Sequence, residues 1–260
     1  MSYGLDNYER LDIHTLSNVV TNPETEPEVR RAAFNALVKI TPDERRVRLL
    51  AVMRAVIQRP DRFEYDIFTD AVEIFATDPH PDATAFMLEL LPELLALAMK
   101  QRSALPDDVR QYFYQALVTR TRPEDLLVWE EWVKNPSGRT LVAIILDPAA
   151  LPLEAIEPMT LLARLDEPER TRALFTVVVG LANQDGPSGY AEEAVRLLGE
   201  SHHPEHFAQG LDALTDRSEK ARKEGRDRTA EHLEHALGIL DNRPRTAMEK
   251  LRGKRPWAER

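Results

Sequence analysis

The chain has 260 residues, 43% of them apolar, enough to bury a core of its own as one elongated domain or two compact ones. Its 34 basic and 44 acidic residues leave a formal charge of −10, which repels polyanions at long range and puts general nucleic-acid binding at a disadvantage. Cysteine is absent, which excludes disulfides, thiolate metal sites and cysteine nucleophiles; with no signal-like start and no apolar run of membrane-spanning length, a soluble, cytoplasmic protein is expected.

Apolar residues recur at helical spacing almost throughout, only ten glycines interrupt them, and many of the 18 prolines fall between periodic segments, where helices stop. The pattern predicts an all-α chain. In order, helices are expected over 12–21, 27–40, 43–58, 63–76, 82–101, 106–120, 123–134, 139–146, 153–164, 169–183, 188–200, 204–215 and 228–240. Connections such as "TDPHPD", "KNPSG" and "DEPE" are short and turn-rich, which makes successive helices antiparallel neighbours. Within 135–158, "LVAIIL" reads as a short helix, and this less regular segment is the expected place for a bend.

One helix returns in step. "EPEVRRAAFNALV" (26–38) reappears 80 residues later as "DDVRQYFYQALV" (107–118), a gap that fits two units of about 40 residues. On a 100° wheel Val29, Ala33, Ala36, Leu37 and Ile40 share a face, and Val109, Phe113, Ala116 and Leu117 take the same places. "EPERTRALFTVVVGLA" (167–182) is a weaker third copy, and the segment near "FTDAVEIFATD" keeps the spacing but not the residues. A 34-residue tetratricopeptide period is not found.

The pattern Pro27, Val29, Arg30, Ala36, Leu37, repeated as Asp108, Val109, Arg110, Ala116, Leu117, resembles the second helix of HEAT repeats over about residues 12–215. That resemblance implies a right-handed α-solenoid of stacked antiparallel helix pairs over 1–241, with the second helices on the concave side. Armadillo-like stacking or an irregular bundle fits the same pattern. Opposite the core stripe the repeated helix carries Arg31, Phe34, Asn35 and Val38, matched by Gln111, Tyr114, Gln115 and Val118. Phe34 and Tyr114 are read first as packing against the adjacent unit; Arg31, Asn35, Gln111 and Gln115, with Tyr114 as the aromatic candidate, are the residues expected to meet a protein or peptide partner.

Candidate chemistry is sparse. Five of seven histidines fall in 202–235, and His203, His206, His232 and His235 with Glu205, Glu231 and Glu234 offer ligand types suited to zinc or iron, but no HExxH or paired ExxH motif orders them. The expectation is a solvated surface without metal or other cofactor. Leu126, Trp129 and Val133 are expected to form a core stripe, leaving Trp132 to explain. Alkylpurine DNA glycosylases of HEAT-like build place a carboxylate and aromatics in a basic groove; Asp147 or Glu131 offers such a carboxylate, yet no motif maps them onto that site and an acidic chain lacks the phosphate attraction. No GxxxxGK[ST] or GxSxG motif occurs.

The end of the chain differs. Residues 216–260 hold 13 Lys and Arg against nine Asp and Glu, and "DRSEKARKEGRDR" (216–228) reads as a solvated helix or linker. The tail, 242–260, mixes basic residues with Met248, Leu251 and Trp257, which suits either capping of the last repeat or docking to a partner, with Trp257 as its main anchor. The expected function is a noncatalytic scaffold or adaptor that binds protein or peptide; the alternatives are a DNA-processing enzyme of the glycosylase type and a His/Glu metalloprotein.

Overall fold

A computed structural model describes residues 8, 11–100, 105–184, 189–200 and 204–241. All regular structure among them is helical: α1 (Ile13–Thr21), α2 (Pro27–Leu37), α3 (Pro42–Gln58), α4 (Tyr65–Thr77), α5 (Pro81–Lys100), α6 (Asp107–Val118), α7 (Pro123–Lys134), α8 (Gly138–Leu146), α9 (Pro158–Ala163), α10 (Glu169–Ala182), α11 (Gly189–Gly199), α12 (Pro204–Lys223) and α13 (Asp227–Asp241). Short 3-10 segments occupy Pro60–Arg62 and Pro148–Ile156. None of these helices is long and apolar enough to cross a membrane.

The helix starts follow from proline. Pro27, Pro42, Pro81, Pro123, Pro158 and Pro204 each open a helix, where a missing N–H costs nothing and the fixed φ is already helical. At α1 Asp12 caps instead, its carboxylate accepting from the Thr15 N–H at 3.0 Å. The stop of α12 is a Schellman turn: Gly225 takes φ 72°, the Arg226 N–H reaches the Ala221 carbonyl at 2.8 Å, and the Gly225 N–H reaches that of Arg222 at 3.0 Å.

Two expected helices come out differently. The segment 153–164 is not continuous: the 3-10 run ends at Ile156, Glu157 sits in the left-handed region at φ 52°, and α9 begins at Pro158. A residue before proline is pushed out of the right-handed helical region, so Pro158 breaks what periodicity alone joins. In the other direction, α12 runs on to Lys223 rather than stopping near 215. Its buried positions are Phe207, Leu211, Leu214, Ser218 and Ala221, an unbroken 4,3,4,3 spacing whose last two members, one polar and one small, do not register as an apolar stripe.

The chain forms two compact units, one from residues 1–135 with 147–155 and the other from 136–146 with 156–260, so it passes between them within 135–158. In the first unit α1 packs on α2, α3 on α4, and α5 on α6, while α1–α3–α5–α7 run as one row of neighbours. On the other side α4 packs on α6, and α2 is tied to α4 by Arg31, which pairs with Asp70 at 2.6 Å. Ring contacts close the layer between the rows: Phe68 of α4 lies 6.1 Å from Phe113 of α6, and Phe75 meets Phe86 edge-on at 6.4 Å. The fully buried rings of Phe68, Phe75 and Phe113 contribute about 1.5–3 kcal/mol each.

The second unit has the same two-row pattern of contacts. Pairs α8–α9, α10–α11 and α12–α13 are joined along α8–α10–α12 and along α9–α11–α13, with α10 also touching α9 and α13. Helix α10, the weak third copy of the repeat, thus opens its hairpin where α2 and α6 close theirs. It meets α12 closely because Gly210 has no Cβ: one built there would run into the ring of Phe175. Phe175 in turn lies 5.7 Å from Phe207.

Candidate interaction surface

The repeated Val-Arg of α2 and α6 is a buried anchor. Arg30 is 1% exposed and Arg110 4% exposed. Arg30 donates to both carboxylate oxygens of Glu64 at 2.9 and 2.7 Å and to the carbonyls of Asn22, Pro23 and Thr25 in the turn before its own helix, while its guanidinium stacks 4.6 Å above the Phe63 ring. Arg110 repeats the device: it donates to the Leu105 carbonyl just before α6 and, through Nε and Nη2, to both oxygens of Asp147 at 3.2 and 2.9 Å. Each arginine therefore clamps its preceding turn to a carboxylate more than 30 residues downstream. A buried guanidinium costs several kcal/mol of desolvation unless its donors are met, and here the turn carbonyls and the carboxylate meet those of Nη1 and Nη2 in Arg30, whose Nε is left without an acceptor, and those of Arg110 through Nε, Nη1 and Nη2.

Two further buried arginines secure the turn after α4. Arg46 of α3 holds Asp78 at 3.1 Å and also binds Asp43. Arg120, beyond α6, pairs with Asp125 at 2.8 Å, bonds Thr84, and donates to the carbonyls of Phe75, Asp78 and His80. Asp78 is held below its ordinary value: burial, the largest influence, opposes this, but the His80 N–H and Arg46 outweigh it.

Anchoring fixes which side of α2 and α6 faces outward. Asn35, Gln111 and Gln115 are exposed and Arg31 is half-exposed, so four of the residues expected at a partner surface share the outer side of these helices. Arg31 is nevertheless engaged: its guanidinium pairs with Asp70 and lies 3.7 Å from Asp66, both on α4, and stands 5.8 Å from the Phe34 ring. Tyr114 is not on this surface. It is fully buried, and its hydroxyl donates to Asp147 at 2.9 Å, because the helix turn that exposes Gln111 and Gln115 carries position 114 inward beside Phe113. Burial first, and the Asp147 charge second, push its hydroxyl pKa well above the usual tyrosine value. Phe34 is likewise buried, at 2% exposure.

The glycosylase-like residues are differently placed. Asp147 is 5% exposed and already accepts from Arg110, Tyr114 and the Ala149 N–H, so its lone pairs serve the scaffold. Glu131 is exposed and paired with Lys134 at 2.8 Å. Trp129 and Trp132 form an edge-on pair with centroids 5.9 Å apart, both half-buried. The expected core stripe of α7 does not form: Leu126 is 46% and Leu127 65% exposed, and only Asp125 of this helix is buried. Helix α7 ends its row in the first unit, with α5 on one side, so its apolar face is left uncovered there.

In the second unit a groove of about 140 Å³ lies between α10, α11 and α13, walled by Val178, Leu181, Val195, Ala236 and Ile239. His232, His235 and Glu192 also line it. These three do not form a metal centre, and among the described residues no group of three or more His, Asp or Glu is placed to hold a metal. His203 and the side chain of His206 lie outside the described residues, as do Trp257 and the rest of 242–260. The sequence reading missed this groove because its signal is the alanines Ala182, Ala191 and Ala236, which leave space rather than fill it.

No protein-family model matches the chain, and no curated protein matches it.

Proposed function

We propose that the chain is a noncatalytic helical-repeat module, a HEAT-like right-handed solenoid, that binds a protein or peptide along the outer side of α2, α4 and α6. The observation that carries this reading is the equivalence of α2 and α6: each closes a hairpin, each is locked by the same buried arginine clamp, and each presents polar residues three and four positions apart to solvent. A clamp repeated at this interval holds successive helices at a set spacing, which is the requirement for a surface that meets an extended partner at several points. Glutamine and asparagine, with both donor and acceptor, suit a peptide backbone. The same side bears Glu28, Asp66, Asp70, Glu73 and Asp108 against Arg31, which disfavours a polyanion.

The test is an affinity capture from the native host with the full chain and with Asn35→Arg plus Gln115→Arg, whose melting temperatures should match. The expected result is a partner bound by the first and lost by the second. Capture of the same partner by both would remove this surface from consideration, and tight, salt-sensitive binding of duplex DNA would replace the reading by the DNA-processing one.

A further inference from the structure

We propose that the uncovered side of α7 is a second docking surface, and that its occupant is a partner helix whose apolar stripe is edged by lysine or arginine. This surface belongs to the row α1–α3–α5–α7 and is independent of the outer side of α2, α4 and α6.

Helix α7 is fixed to its unit by polar bonds rather than by its leucines. Asp125, its buried residue, accepts from Thr84 of α5 and pairs with Arg120 at 2.8 Å. Trp129 and Trp132 follow at four and seven positions, so they share the Asp125 side and are half-buried. The same helical turn carries Leu126 and Leu127 away from that side, to 46% and 65% exposure. Half-buried Val133 continues the line from Leu126 past the edge of Trp129. Exposed leucines beside a tryptophan pair suit a contact site, because apolar patches on a surface mark interaction sites and Trp is enriched among the residues that dominate binding energy.

Charge selects the occupant. Along the exposed side stand Glu124, Glu130 and Glu131 against Lys134. Lys134 is held by Glu131 at 2.8 Å, which leaves Glu124 and Glu130 without an ion pair among the described residues. Arg122, just before the helix, donates to the Asp78 carbonyl instead. A second copy docked by the same face would set these carboxylates against their own kind, and a nucleic acid or an anionic bilayer would meet the same repulsion. A helix with Lys or Arg beside its leucines answers both features. Its apolar residues cover Leu126 and Leu127, its cations pair with Glu124 and Glu130, and an arginine stacks on the open part of an indole.

The probe is a synthetic helix of about 18 residues, leucine on one side and lysine on the other, long enough to hold helical structure. Titrated into the full chain, it should bind and slow amide exchange in α7. Leu126→Asp with Leu127→Asp should abolish this binding, and Glu124→Lys with Glu130→Lys should weaken it about tenfold. Glu28→Lys with Asp108→Lys makes the same change in net charge on another exposed surface and should leave binding unchanged. All three variants alter exposed side chains, so their melting temperatures should match that of the parent. No binding, equal losses in both charge variants, or equal affinity for a peptide with glutamate in place of lysine would overturn the proposal. So would dimerisation of the parent that Leu127→Asp removes, which assigns the face to a second copy, or binding to phosphatidylcholine vesicles that the same change removes, which assigns it to a bilayer.

Discussion

Arg110 and Asp147 face each other as a two-pronged pair, Nε and Nη2 of the guanidinium on the two oxygens of the carboxylate at 3.2 and 2.9 Å, with both side chains almost wholly buried. The pair makes a residue near the start of α6 hold one just beyond α8, and Tyr114 adds a third bond to the same carboxylate. Burial alone would lower the Arg110 pKa; the hydrogen bonds and charge of Asp147 reverse this and raise it.

Removing one member of this pair strands the other. Asp147→Ala is expected to cost about 3–5 kcal/mol in urea unfolding of the full chain, because Arg110 and the Tyr114 hydroxyl lose their shared acceptor. Arg110→Met combined with Asp147→Leu should recover most of that loss. A single Asp147→Ala variant as stable as the parent would mean that the clamp contributes nothing.

Neighbouring positions of α2 should behave oppositely. Phe34 is buried and Asn35 exposed, so Phe34→Ala should destabilise by about 3–5 kcal/mol, whereas Asn35→Arg should stay within about 0.5 kcal/mol. Thermal melting of the two variants decides the matter, and a soft response at Phe34 would contradict its packing role.

Acid should loosen the turn after α4. The folded-state pKa of Asp78 is lowered, so its ionised form stabilises the fold fully above the ordinary aspartate value of about 4 and this contribution is lost as pH falls below it toward the depressed value. Asp78→Asn should therefore lower stability near neutrality and flatten the acid limb of the stability profile. A variant with an unchanged acid limb would show that Asp78 does not contribute to it.

Glycine replacement should separate a helix end from a helix crossing. Around Gly199 there is open space, and Gly199→Ala is expected to stabilise by about 0.4–1 kcal/mol through the unfolded chain. Gly210→Ala offers the same entropic gain but drives a Cβ into the Phe175 ring, so a net loss of about 1–3 kcal/mol is expected. Calorimetric melting of both variants gives opposite signs if α10 and α12 approach as closely as the structure shows.

The all-helical class and nearly every helix were legible in the sequence, because apolar spacing, proline at helix starts and short polar connections are local properties that neighbouring residues impose on one another. The same locality located the outward polar side of α2 and α6, since Asn35, Gln111 and Gln115 lie opposite a stripe that has to be buried. Tertiary structure alone decided the rest. Arginine is ordinarily a surface residue, so nothing local marks Arg30, Arg46, Arg110 and Arg120 as buried; each is tolerated there only because acceptors distant in sequence, such as Glu64, Asp78 and Asp147, meet its donors once the rows of helices assemble. The repetition of Val-Arg 80 residues apart was visible, but its reason was not. Whether a small residue such as Ala182 or Ala236 completes a core or leaves a groove, and whether Leu126 and Leu127 of α7 are covered, depends on which helix faces it, and that choice is made by the packing of whole helices rather than by the residues themselves.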